Sequence, residues 1–235
     1  MNKVRVLLVG AGRMGVEYAR VLLALKTGFV TVGRGTASAA SFLEKSGVAA
    51  VTGGLAAYLS DISGVPEAAI VAVNVPDLPE TCTLLLEKGV KRILLEKPGA
   101  LTAEEIGILN ETAKSCGAEV YIAYNRRFMP SVTEAASILK ADGGVTSFHF
   151  EFTEWSDRIE VFDAHPAEKE RWFLSNSSHV ADLAFYLGGR PARIETFTAG
   201  SLGWHPSAAA FTGAGITAAG VPFSYCANWD APGRW

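Results

Sequence analysis

The sequence predicts an α/β fold: an N-terminal doubly wound parallel sheet followed by an α+β domain with a mainly antiparallel sheet. Apolar strand-like runs alternate with amphipathic helical patterns through about residue 122, and a glycine-rich turn leaves the first of those runs. Beyond residue 140 the pattern changes to alternating segments that suit half-exposed antiparallel strands.

The first strand is expected over Val4 to Val9 and the first helix over Met14 to Leu25, followed by a strand from Phe29 to Val32. A helix over Ala37 to Ser46, a short strand at Ala49 to Val51 and a helix over Leu55 to Ile62 come next. The strand Ala68 to Val73, the helix Pro79 to Lys88, the strand Arg92 to Leu95, the helix Ala103 to Ser115 and the strand Val120 to Ala123 complete this half. A dinucleotide-type domain over 1–122 and a second domain over 123–235 follow from that rhythm. The second opens with a helix near Ser131 to Lys140 and has strands at Thr146 to Thr153 and Arg193 to Thr198. The polar stretch Glu154 to Glu170 lacks sustained periodicity and reads as a long loop.

With 235 residues, 49% hydrophobic and only 19% charged, the chain can bury a substantial core, which excludes disorder. A net charge of −3 supplies no broad basic field, so neither nucleic acid nor an anionic membrane is the expected partner, and a small molecule is. No apolar run approaches the roughly 18 residues that span a bilayer. Met1-Asn2-Lys3 leads straight into a strand instead of a secretory signal, which points to a cytoplasmic protein. Cys82, Cys116 and Cys226 are far apart and form no CxxC pair; they read as reduced core or near-core thiols, with neither a disulfide framework nor a metal site expected.

Gly10-Ala11-Gly12-Arg13-Met14-Gly15 is GxGxxG between a strand and a helix. In that setting Gly10 permits the turn, Gly12 admits a pyrophosphate and Gly15 lets helix approach strand, while the helix amides carry the phosphates. A tight βα turn or a methyltransferase-like loop is the alternative. An NAD-type site places a carboxylate at the end of the second strand, yet the sequence there is Val32-Gly33-Arg34-Gly35-Thr36. Arg34 can pair with a 2′-phosphate and Thr36 can add a hydroxyl, which predicts NADP(H) in preference to NAD(H). Arg34 can equally be a solvated turn residue in a protein that accepts both cofactors.

Further motifs follow in order: Val71-Ala72-Val73-Asn74-Val75-Pro76, Glu96-Lys97-Pro98, Tyr124-Asn125-Arg126-Arg127-Phe128 and His179-Val180-Ala181-Asp182. With the glycine turn they cover most of residues 4 to 190, and the chain resembles the Gfo/Idh/MocA (glucose-fructose oxidoreductase / inositol dehydrogenase) family. The resemblance implies a Rossmann domain followed by a large antiparallel sheet domain, and homo-oligomers formed through that sheet. It also implies a chain longer than this one, so the second domain is expected to be incomplete.

The resemblance implies hydride transfer to or from a carbinol or carbonyl carbon of a sugar, sugar nucleotide or cyclic polyol. Lys97 is then the group that polarises and protonates the reacting oxygen, while Glu96 helps hold the lysine and the nicotinamide side, and Asn74 is a further cofactor contact. His179 is the second catalytic group, an imidazole that titrates near working pH. Position 175, where many relatives carry an acid/base Asp, is Ser175 here. Asn176 can orient a sugar hydroxyl but cannot take a proton, and Asp182 orients or caps. Tyr124, Asn125 and Arg127 line a ligand pocket or form a domain hinge, and Trp155 stacks on a sugar, with Arg158 beside it, or packs internally. A reductase of another carbonyl or imine, and a non-catalytic NADP(H)-binding regulator, remain alternatives.

Overall fold

The structure, a computed structural model describing residues 5–231, divides into two compact units, residues 1–123 and 124–235. The first holds β1 (Val6–Val9), α1 (Arg13–Ala24), β2 (Phe29–Val32), α2 (Thr36–Ser46), β3 (Ala50–Val51) and α3 (Leu55–Asp61). It continues through β4 (Ala68–Val71), α4 (Leu78–Glu87), β5 (Arg92–Leu95), α5 (Ala103–Ser115) and β6 (Glu119–Ile122). All six strands are parallel in the order β3-β2-β1-β4-β5-β6, with the chain reversing direction of travel between β1 and β4. That reversal opens a crevice at the carboxyl ends of the two central strands.

The unbroken apolar character of β1 has a direct cause: helices cover both faces of the sheet. Leu7 and Val9 pack into a core with Val32, Val71, Ile93 and Leu95. Leu8, on the opposite face, packs with Val16, Ala19 and Phe42. Leu7 and Leu8 have no exposed surface, and full burial of such a side chain contributes about 1.5–3 kcal/mol. The helix α4 supplies Leu78, Cys82, Leu85 and Leu86 to the first core, and burial pushes the Cys82 thiol up to about 12. Cys116 is only half-buried and Cys226 is exposed, so Cys226 is no core thiol.

The second unit begins with a 3₁₀ turn (Asn125–Phe128) and α6 (Pro130–Ala141), then β7 (Phe148–Thr153). Its sheet adds β8 (Pro191–Ala199), β9 (Ala210–Thr217) and β10 (Pro222–Asn228), in the order β7-β10-β9-β8. Both pairs involving β9 are antiparallel, whereas β7 runs parallel to β10. The stretch expected to be one long loop holds two short helices, α7 (Ser156–Val161) and α8 (Pro166–Glu170). With six and five residues, neither completes two turns, so no 3.6-residue period is visible in the sequence. A π-turn (Phe173–Ser177) then feeds α9 (Ser178–Gly188). Phe185 of α9 meets Phe148, Phe150 and Phe223 at centroid distances of 6.0, 5.5 and 5.0 Å.

Most boundaries fall within two residues of the pattern-based expectation, and β2, β5 and α5 coincide with it. Val4, expected to start β1, lies outside the described residues, as does the terminal segment 232–235.

Candidate functional site

A cleft of about 430 Å³ opens at the carboxyl ends of β1, β2 and β4. Its lining includes Gly10, Gly12, Gly33, Arg34 and Asn74 among the residues singled out by sequence. Gly10 has φ +118°, and a Cβ there would lie 2.2 Å from the Ala72 carbonyl oxygen. A Cβ on Gly15 would lie 2.1 Å from the Gly10 carbonyl oxygen, so the turn and α1 touch through backbone alone. At Gly12, in contrast, a Cβ would meet no protein atom within 4 Å, and the space above the helix start is open. No side chain caps α1 and its first turn holds no acidic residue, which leaves the first amides and the positive end of the helix dipole facing that space. These features fit a dinucleotide pyrophosphate.

Arg13, Met14, Gly15, Thr36, Glu96 and Lys97 fall outside the cleft lining. Met14 packs against the core beside Leu8, and Thr36 opens α2 on the exposed side. Ser38, in the first turn of α2, lines the cleft instead and donates to the Gly35 carbonyl at 3.0 Å. Asp77, in the 3₁₀ turn Val75–Asp77 after β4, also lines the cleft and accepts from Arg34 Nη2 at 2.7 Å. Although the end of β2 has no carboxylate, the fold brings one to Arg34 from 43 residues away.

Glu96 and Lys97 follow β5 at its carboxyl end, both half-buried. The Glu96 amide continues the sheet ladder by donating to the Val71 carbonyl at 2.9 Å. Its carboxylate accepts from the Tyr18 hydroxyl of α1 at 2.6 Å. Burial first, and then the Glu96 carboxylate, hold the Tyr18 phenol well above its ordinary range.

In the second unit, His179 occupies the second position of α9 and meets the Tyr124 ring edge-on, with centroids 5.8 Å apart. Arg127 grips Asp182 with two parallel bonds, Nε to Oδ2 at 2.8 Å and Nη2 to Oδ1. This pair ties the 3₁₀ turn to α9 and raises the arginine's pKa, chiefly through the Asp182 hydrogen bond. The Arg127 guanidinium also lies over Tyr124 and Tyr186, at 5.8 and 5.1 Å from the ring centroids. Asn125 opens that turn. Asn176 donates from Nδ2 to the Glu154 carboxylate. Trp155 is 42% exposed, with Arg158 6.0 Å over its ring. Among the described residues, no group of three or more His, Cys, Asp or Glu side chains is placed to hold a metal ion.

Tyr18, Ser38, Asp77 and Glu154 were not picked out by sequence. Asp77 and Ser38 carried a weak signal, each lying just after the carboxyl end of a strand that borders the glycine turn. Tyr18 and Glu154 carried none, because their partners lie 78 and 22 residues away.

The six-stranded parallel sheet, the strand reversal and the glycine turn define a dinucleotide-binding Rossmann protein. The family described as "Oxidoreductase family, NAD-binding Rossmann fold" (Gfo/Idh/MocA) matches residues 4–124, and the chain belongs to that family. No curated protein matches the chain. Among solved structures, levoglucosan dehydrogenase in complex with NADH and L-sorbose is 20% identical, with a TM-score of 0.81. The superposition covers 100% of this chain and 69% of that one. The WlbA dehydrogenase from Bordetella pertussis, in complex with NADH and UDP-GlcNAcA, is 17% identical, with a TM-score of 0.77 over 98% of this chain and 74% of that one. A protein of Desulfitobacterium hafniense whose proposed assignment is an NADPH-dependent oxidoreductase is 18% identical, with a TM-score of 0.79 over 99% and 69%. At these identities the likeness concerns the fold. No helix among the described residues is long and apolar enough to cross a membrane.

Proposed function

We propose that this protein is a cytoplasmic NADP(H)-dependent dehydrogenase that moves a hydride to or from a carbinol or carbonyl carbon of a sugar, sugar nucleotide or cyclic polyol. The observation that carries the cofactor half is the open cleft at Gly12, which Arg34 lines with no acidic residue on the adjoining strand end. The family supports the oxidoreductase half, and the sugar ligands of two structural relatives support the substrate class.

The bound nicotinamide supplies the hydride acceptor or donor. The remaining work falls to the chain: Lys97 polarises the reacting oxygen, and His179 exchanges a proton with it. An ammonium next to a carbonyl oxygen stabilises developing alkoxide charge, and a positioned proton donor contributes about 10²–10⁴-fold. Glu96, held by Tyr18, fixes the backbone from which Lys97 projects. Glycine-turn amides carry the pyrophosphate, Asn74 borders the nicotinamide side, and Asn176 and Tyr124 receive the substrate.

One observation favours a second reading, NADH use. Asp77 already neutralises Arg34, and a carboxylate in the cleft repels a 2′-phosphate while accepting hydrogen bonds from ribose hydroxyls. Fluorescence titration with NADPH and NADH separates the two, in the wild type and in Arg34→Ala. Tighter NADPH binding that collapses in the variant supports the 2′-phosphate site; tighter NADH binding that collapses in Asp77→Ala removes it. For the chemistry, Lys97→Ala should bind cofactor normally and lose at least about 10²-fold in turnover on a panel of polyols and sugar nucleotides. Full turnover in that variant would overturn the assignment.

The exposed strand β8 carries Phe197 at 71% and Ile194 at 43% exposure, which supports assembly of copies through the second sheet. A monomer in light scattering at micromolar concentration would exclude it.

A further inference from the structure

We propose that Glu154 determines substrate specificity by fixing the orientation of Asn176, so that the second unit receives a substrate hydroxyl only as a hydrogen-bond donor. The inference rests on the reading of Asn176 as a substrate contact.

Glu154 follows β7 directly and is 5% exposed. Its amide donates to the Asn228 carbonyl at 3.0 Å, which extends the β7–β10 ladder by one bond and fixes where the side chain starts. A carboxyl group in that position needs hydrogen-bond partners, because a buried polar group without them is disfavoured. Two neutral donors converge on Oε1: Asn176 Nδ2 at 2.5 Å and Ser177 Oγ at 3.4 Å. Both belong to the π-helical segment, whose i→i+5 hydrogen bonds span one residue more than those of an α-helix, just before α9.

The amide of a lone asparagine can face either way, offering NH₂ or C=O. In the structure the amide faces one way, with Nδ2 donating to Glu154 Oε1. That leaves the Asn176 carbonyl oxygen as the polar end available to a ligand, and Asn176 itself is only half-buried. The neighbouring Ser175, at 2% exposure, donates its hydroxyl to the Glu168 carbonyl at 3.1 Å within the local turn. Glu154 therefore acts through Asn176, as a positioning residue, and converts a two-way amide into a fixed acceptor. A hydroxyl satisfies such an acceptor, whereas a deoxy or O-methyl position leaves it unpaired, which is how a polar site rejects an analogue.

The test compares a polyol that turns over with its singly deoxygenated analogues, in the wild type and three variants. The wild type should discriminate against one analogue by about tenfold or more in kcat/KM. Glu154→Leu should bring that ratio close to one, mainly through KM, and Glu154→Gln, which keeps an acceptor carbonyl, should restore most of it. Asn176→Ala leaves the buried residue in place and should lose the same discrimination, so the result does not depend on Glu154→Leu folding; thermal midpoints report on folding in each case. A folded Glu154→Leu or Asn176→Ala protein with wild-type discrimination overturns the proposal. A wild type that turns over no polyol or sugar nucleotide overturns the functional reading beneath it, and that outcome is visible before any variant is made.

Discussion

Tyr18 shows how much of this site is held by side chains without chemistry of their own. Its hydroxyl gives Glu96 a 2.6 Å hydrogen bond from α1, and Glu96 precedes Lys97 directly. A hydrogen bond to a charged acceptor contributes about 1.5–3 kcal/mol, enough to hold one rotamer of a half-buried carboxylate. Tyr18→Phe keeps the ring and removes only that donor. Turnover is expected to fall about tenfold while cofactor affinity changes little, since the cleft lining does not include Tyr18. Unchanged kcat and an unchanged pH profile in a folded Tyr18→Phe protein would refute a positioning role. Arg127 and Asp182 make the related point for α9: a paired guanidinium over two tyrosine rings reads better as a brace than as a ligand for substrate.

At the scale of elements, α5 has a measurable start. Thr102 accepts from the Glu105 amide at 3.1 Å, while the Glu105 carboxylate accepts from the Thr102 amide at 3.0 Å, the two halves of a capping box. Thr102→Ala should destabilise the protein by about 1 kcal/mol in urea unfolding with no change in cofactor affinity, because the cap lies outside the cleft. An undiminished denaturation midpoint would show that the cap is redundant. Such a local signal agrees with α5 being legible in the sequence to the residue, while β2 and β5 are legible as short strand-type runs. The glycine turn is legible for the same reason, since Gly10, Gly12 and Gly15 act within six consecutive residues. Elements shorter than two turns, α7 and α8, escape because a period needs repeats to be seen. Pairings such as Arg34 with Asp77, Tyr18 with Glu96 and Asn176 with Glu154 escape because they join separate elements, and charge type alone does not name the partner. The parallel pairing of β7 with β10 was hidden too, as period-two alternation fits either direction.

For the molecule as a whole, the division of labour follows from where cores and cleft lie in the chain. Both cores flanking the parallel sheet draw only on residues of the first unit, and so does every residue lining the glycine-turn cleft. His179, Asn176 and Glu154 belong to the second unit; in the proposed reading His179 and Asn176 act on substrate and Glu154 positions Asn176. Cofactor binding and turnover should therefore be separable by cutting the chain. Residues 1–123 alone are expected to fold and to bind the preferred nicotinamide cofactor with a Kd within about fivefold of the full chain, a difference of about 1 kcal/mol. The same piece should show no turnover on any substrate the full chain accepts. Fluorescence titration and circular dichroism of the 1–123 protein make the check, and they assign failure to a cause. A folded piece that binds no cofactor would mean that groups beyond residue 123 hold the dinucleotide, whereas an unfolded piece would mean that the parallel sheet depends on the second unit for stability.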